Sequence, residues 1–137
     1  MSIQRLEISG FRSLANVVWE PGPLNVLIGP NGSGKSNLLR ALLLLRNAAE
    51  GKLSESVRAS GGMVPVLWDG QANSLRFSLK TDPVVPTLDR IRSALTYELT
   101  LERLGHTGAF RVGKEMLANH YKFEHGEAPD VFKYLER

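Results

Sequence analysis

Residues Gly29-Pro30-Asn31-Gly32-Ser33-Gly34-Lys35-Ser36 match the pattern G-x-x-x-x-G-K-[ST] in full, and no other stretch restricts the fold so tightly. Each part has its own physical task. The glycines remove side chains, so that successive backbone N–H groups can turn inward and form an anion nest. A lysine at position 35 supplies a compact positive charge, and the Ser36 hydroxyl is a hard oxygen donor suited to Mg²⁺. A helix beginning at about Gly34 adds its positive dipole end beneath the same anion. The pattern therefore calls for a nucleoside triphosphate held with Mg²⁺.

The flanks agree with that reading. Leu24-Asn25-Val26-Leu27-Ile28 follows Pro21-Gly22-Pro23 and reads as a short buried strand. After the loop, Leu38 to Arg46 is rich in strong helix formers and contains no breaker, although Arg40 interrupts its apolar run. The predicted helix runs from Lys35 to about Ala49 and stops near Gly51.

Elsewhere, Ile3 to Ile8 alternates as a strand and leads into a turn at Gly10-Phe11-Arg12-Ser13-Leu14. Asn16 to Trp19 fits a second short strand. Residues 51–73 are irregular, with a helical piece over Leu53 to Ala59. Leu75, Phe77 and Leu79 then alternate with polar neighbours, and so do Leu95, Tyr97, Leu99 and Leu101. Gly105-His106-Thr107-Gly108 is a hairpin signal before Phe110-Arg111-Val112. Residues 81–89, with Pro83 and Pro86, read as a loop; Tyr121 to Glu124 and Val131 to Leu135 read as further strands. The aromatics Phe77, Tyr97 and Phe110 belong to alternating strands and are expected in the core.

Composition narrows the function classes. With 42% hydrophobic and 23% charged residues, the chain is an ordinary globular sequence and not a disordered one. Cysteine is absent, which removes disulfides and thiolate metal sites. The three histidines show no metal-ligand spacing. No secretory leader or membrane-length apolar run is visible, so the expected location is the cytoplasm, away from membranes. A net charge of +3 is compatible with nucleic acid without demanding it.

Three features together resemble the N-terminal lobe of an ABC-type ATPase head. The branch is that of the chromosome-maintenance proteins, recombination-repair ATPases and overcoming-lysogenization-defect nucleases, with a predicted-ATPase group nearest. These features are the opening strand running into Gly10-Phe11-Arg12-Ser13-Leu14, the loop Gly29–Ser36 followed by Asn37, and the antiparallel strands beyond the first helix. The resemblance implies an α/β P-loop NTPase fold. A mixed sheet would surround the phosphate loop and one main helix, followed by an antiparallel β-meander. It implies one ATP-binding lobe over residues 1–137: a strand–loop–helix core at 1–50, a connection at 51–73 and a β-subdomain at 74–137. It also implies that Gly29 and Asn31 to Gly34 cradle the phosphates, Lys35 bridges the outer ones as the catalytic cation, Ser36 holds Mg²⁺ and Asn37 backs the α-phosphate. Arg12 and Ser13 would lie on a segment that approaches the nucleotide. Heads of this type pair with a second copy or a partner lobe, and DNA is a further candidate partner.

Hydrolysis needs more than a phosphate cradle. It needs an acidic Mg²⁺ partner at a strand end and a carboxylate that orients water. Met63-Val64-Pro65-Val66-Leu67-Trp68-Asp69 imitates such a strand, but Pro65 cannot donate in a central ladder and Gly70 stands where the glutamate belongs. Leu53-Ser54-Glu55-Ser56 lacks the glycines of a signature loop, and Gln71 reads as a polar loop residue. The sequence thus carries half of a catalytic site and ends within a strand-like segment, as expected of a fragment or one half of a split ATPase. Weak or absent turnover is expected of the chain alone. Two other readings stay open: a non-hydrolysing nucleotide-dependent interaction module, and a kinase-like phosphotransferase.

Overall fold

A computed structural model describes residues 2–82, 91–123 and 130–137; of 91–93, 121–123 and 130 only the backbone is described. The strands are β1 (Ile3–Phe11), β2 (Leu14–Trp19), β3 (Ser74–Thr81), β4 (Ile91–Arg103), β5 (Phe110–Phe123) and β6 (Asp130–Glu136). They form one six-stranded sheet in the order β2-β1-β3-β4-β5-β6. Every pairing is antiparallel. The two helices are α1 (Lys35–Ala49) and α2 (Leu53–Ala59), with single 3-10 turns at Val64–Val66 and Trp68–Gly70.

Strand alternation places the apolar set on one face. Leu6 and Ile8 of β1, Leu75 and Phe77 of β3, and Leu99 and Leu101 of β4 are buried together. Helix α1 lies against this layer through Leu38, Ala41, Leu44 and Leu45, a spacing that keeps one stripe inward. Val57 of α2 and Met63, Val66 and Leu67 of the connection complete the core. The other sheet face is polar, and across it Glu98 of β4 accepts from Lys114 of β5 at 2.6 Å.

The segment before the phosphate loop departs from expectation. Leu24–Ile28 is not a buried strand: Leu24 is 84%, Val26 71% and Ile28 90% exposed. Within it, the Asn25 side chain folds back, its Nδ2 donating to the Gly22 carbonyl at 2.9 Å. The physical reason is the sheet itself. A strand here needs a neighbour to share its ladder, and each described strand pairs only with its antiparallel neighbours. Among the described residues, the expected mixed sheet is therefore corrected to one whose strand pairings are all antiparallel.

Smaller differences concern boundaries. Tyr121 to Phe123 extend β5 and do not start a new strand, and Glu124 lies outside the described residues. Of the loop at 81–89, Thr81 ends β3 and residues 83–89 lie outside the described set. Among the described residues, no helix is long and apolar enough to cross a membrane.

Candidate nucleotide-binding site

The phosphate loop leads directly into α1. Gly32 and Gly34 adopt φ +84° and +94°, conformations that let the chain reverse twice without a Cβ in the way. A Cβ at Gly34 would lie 3.0 Å from Ser13 Oγ, and one at Gly29 2.8 Å from Ser33 Oγ, so side chains at these positions would fill the loop. Gly34 is the N-cap of α1, with no side-chain cap and no acidic residue in the first turn. A helix start left this way keeps its first amides and its dipole available to an anion.

Lys35 curls back into the loop. Its ammonium donates to the carbonyls of Gly29 and Pro30, each at 2.6 Å, and approaches Ser33 Oγ at 3.3 Å. The charge is thus held at the mouth by exchangeable acceptors. Ser36 is exposed on the first turn. Asn37 donates through Nδ2 to Ser13 Oγ at 2.8 Å and accepts from Arg40 through Oδ1 at 3.1 Å. Asn31, Gly32, Gly34, Lys35, Ser36, Asn37 and Arg40 line one cleft of about 280 Å³. The glycine conformations, the uncapped helix start and the central ammonium fit a polyphosphate, and the Ser36 hydroxyl fits an accompanying Mg²⁺.

Ser13 and Arg12 reach this region by different routes. Ser13 touches the helix start directly. Arg12 adopts φ +48°, unusual for a side chain of its size, and its backbone N–H donates to the Val66 carbonyl at 2.9 Å. Its guanidinium lies 5.7 Å from the Phe11 ring centre and lines a second cleft with Arg40. Burial pulls the Arg12 guanidinium below its ordinary value, and the charge of Arg40 adds to the effect. Arg40 went unrecognised in the sequence, where it reads only as a break in a leucine run. The available signal was its place one turn beyond Asn37 on the helix that starts at the loop.

The strand-like imitation at Met63–Asp69 is not a strand. It forms the two 3-10 turns, and Asp69 sits in a left-handed conformation at φ +53°. Leu53–Ser56 opens α2, and Gln71 caps the second turn. Phe77 is fully buried, while Tyr97 and Phe110 pack at the core margin. Among the described residues, no group of His, Cys, Asp or Glu could hold a metal ion by itself.

A family described as "AAA domain, putative AbiEii toxin, Type IV TA system" matches residues 24–117, well over half of the chain. The chain is 50% identical over 46 residues to the DNA replication and repair protein RecF of Marinomonas sp. (strain MWYL1), covering 33% of this chain and 12% of that protein. RecF of Anaeromyxobacter sp. (strain Fw109-5) is 37% identical over 89 residues, 61% of this chain and 24% of the relative. The OLD nuclease of Thermus scotoductus (strain ATCC 700910 / SA-01) is 42% identical over 43 residues, 31% of this chain and 8% of the relative. Alignments therefore span less than a quarter of each of these relatives. The chain belongs to the AAA-domain family of P-loop ATPases, in the ABC-type group that includes the repair and maintenance proteins RecF and OLD nuclease.

Proposed function

We propose that this chain is the ATP·Mg-binding lobe of an ABC-type ATPase coupled to DNA repair, maintenance or defence. The observation that carries the reading is the glycine cradle at an uncapped helix start with Lys35 held inside it. In this reading the amides of Asn31 to Gly34 receive the β-phosphate, with Gly29 leaving room for the loop to close. Lys35 exchanges its carbonyl acceptors for phosphate oxygens. Ser36 contributes its hydroxyl to Mg²⁺, which when bound neutralises phosphate charge. Asn37 backs the α-phosphate, and Ser13 fixes Asn37 in place. Residues 1–50 act as the strand–loop–helix core, 51–73 as the connection and 74–137 as the β-subdomain.

Turnover then requires an acidic metal partner and a signature loop that residues 1–137 do not carry, supplied by a longer polypeptide or by a different partner lobe. The similarity to RecF and OLD nuclease supports DNA as the polymer on which such an assembly acts. Calorimetric titration with ATP·Mg tests the reading. Lys35→Ala is expected to weaken binding at least about 100-fold, because the phosphates lose their central counter-charge. Equal affinity in the two proteins would overturn it.

One observation favours a second reading, a module that binds nucleotide without hydrolysing it. Asp69 lies in a left-handed turn and not at the end of a strand beside the loop. Sustained phosphate release by the isolated chain would exclude this alternative.

A further inference from the structure

We propose that the far end of the sheet, over β4, β5 and β6, is a pairing surface for a second copy of this chain, away from the phosphate loop. β4 and β5 run for 13 and 14 residues, against 15 for α1. Strands of that length reach about 40 Å and the helix only about 22 Å, so the sheet outruns its helical cover. The registers lay out what is left over. Tyr97, Leu117 and Leu135 form one row across the three strands, and Leu95, Asn119 and Phe132 form the next. Phe132 and Leu135, three residues apart, would fall on opposite faces of a regular strand; the irregularity of β6 at Tyr134 returns both to one face. Leu42, Ala48 and Ala49 of α1 border this face, leaving a cleft of about 710 Å³ between the helix end and the sheet.

Three observations select a second copy as the occupant. The face carries a knob as well as a hollow. Phe132 and Tyr134 are 56% and 54% exposed, and their rings meet edge to face at 5.0 Å, so they form a stiff projection one row from the cleft. A two-fold axis lying in the interface between the two features seats each copy's knob in the other's hollow. Next, the polar groups of the cleft are spent on one another. Buried Glu115 accepts from the Tyr97 hydroxyl at 2.8 Å and from Arg137 Nε at 2.7 Å, so an apolar surface fits better than a charged ligand. Finally, the bordering charges are balanced: Arg46 pairs with Glu50 at 2.8 Å and Lys133 with Glu136 at 2.7 Å. A face without one dominant sign does not repel its own copy. Strand and row spacings give roughly 300 Å² per copy, below the about 800 Å² of a permanent interface, so the pairing is weak, with a Kd of about 10–100 µM.

Sedimentation velocity of the full chain without nucleotide, over a concentration range that brackets this Kd, tests the proposal. A reversible dimer is expected in the wild-type protein and equally in Lys35→Ala. Phe132→Ser removes the knob and Ala49→Glu charges the hollow; both positions are exposed, and each variant should weaken pairing at least about tenfold. Trp68→Ser, an exposed aromatic outside the cleft, should leave it unchanged. A wild-type chain that stays monomeric, or one that grows past the dimer into open-ended assemblies, would overturn the proposal. So would a change below about threefold in both Phe132→Ser and Ala49→Glu, or a dimer that forms only with ATP·Mg and is lost in Lys35→Ala. If ATP·Mg fails to bind while the chain still pairs, the nucleotide reading falls and this surface stands.

Discussion

The Asn37 side chain donates to the Ser13 hydroxyl across 2.8 Å, and this bond ties the β1–β2 turn to the first turn of α1. Asn37 also holds Arg40 through its other side-chain atom, so one amide links the strand turn, the helix start and the second cleft. Ser13→Ala and Asn37→Ala should each cost about 0.5–1.5 kcal/mol in the absence of nucleotide. The double variant should cost less than the sum, with a coupling of at least about 0.5 kcal/mol, as for residues in direct contact. Urea unfolding of the four proteins measures this cycle; strict additivity would mean that the bond does not join the two elements in solution.

Phe77 should be the most sensitive of the sheet positions. Its side chain is fully buried, opposite Ile8 on β1 and Leu99 on β4, with the Phe11 ring 5.5 Å away. Phe77→Ala removes a ring from a layer closed on three sides and should cost about 3–5 kcal/mol. Phe77→Leu keeps much of the volume and should lose less than half of that. Denaturation midpoints report both, and an alanine variant within about 1 kcal/mol of wild type would contradict this account of the core.

How much of this was legible beforehand depends on whether the signal is local. The loop at Gly29–Ser36 and helix Lys35–Ala49 are contiguous, and the period-two pattern at Leu75–Leu79 and Leu95–Leu101 announces one buried face. Leu24–Ile28 misled because an apolar run reports a tendency to be buried and says nothing about which strand supplies its hydrogen bonds. The end of β5 was misjudged for a related reason. Ala118, Asn119 and His120 show no alternation, and pairing with β4 on one side and β6 on the other carries the strand through them. The second cleft was illegible because Arg12 and Arg40 meet only after β1, α1 and the connection have packed.

Gly10 and Gly51 share a φ of +75° but differ in surroundings, which separates strain from clash. A Cβ on Gly51 meets open space, whereas one on Gly10 would lie 2.5 Å from the Ser74 carbonyl oxygen, a backbone atom that cannot swing away. Gly51→Ala should lose about 1–2 kcal/mol from the left-handed conformation alone. Gly10→Ala should lose clearly more, since β1 must also move away from β3. Thermal unfolding of the pair gives the comparison. Equal losses would show that close contact with β3 is not what requires glycine at position 10.

Glu98 gives the fold a pH dependence whose sign can be worked out. Lys114 donates to it at 2.6 Å and Arg76 lies 3.5 Å away, while only 16% of its side chain is exposed. The Lys114 hydrogen bond, with the nearby positive charges, outweighs burial and holds its carboxyl below the ordinary value of 4.5. The folded chain therefore keeps Glu98 ionised where the unfolded chain has begun to bind a proton. This contribution is complete above about pH 5, falls as the pH drops through 4.5 and is gone below the folded-state value. Both cations are about half exposed, so the amount is modest, up to about 1 kcal/mol and smaller at high salt. Glu98→Gln should be less stable than wild type at pH 7 and approach it as the medium is acidified to pH 3, roughly 1.5 units below the ordinary value. Other carboxylates, such as Glu50 beside Lys52 and Arg46, titrate alike in both proteins and cancel in the difference. Urea midpoints that stay parallel across this range would show that Lys114 and Arg76 do not hold Glu98 ionised in the folded chain.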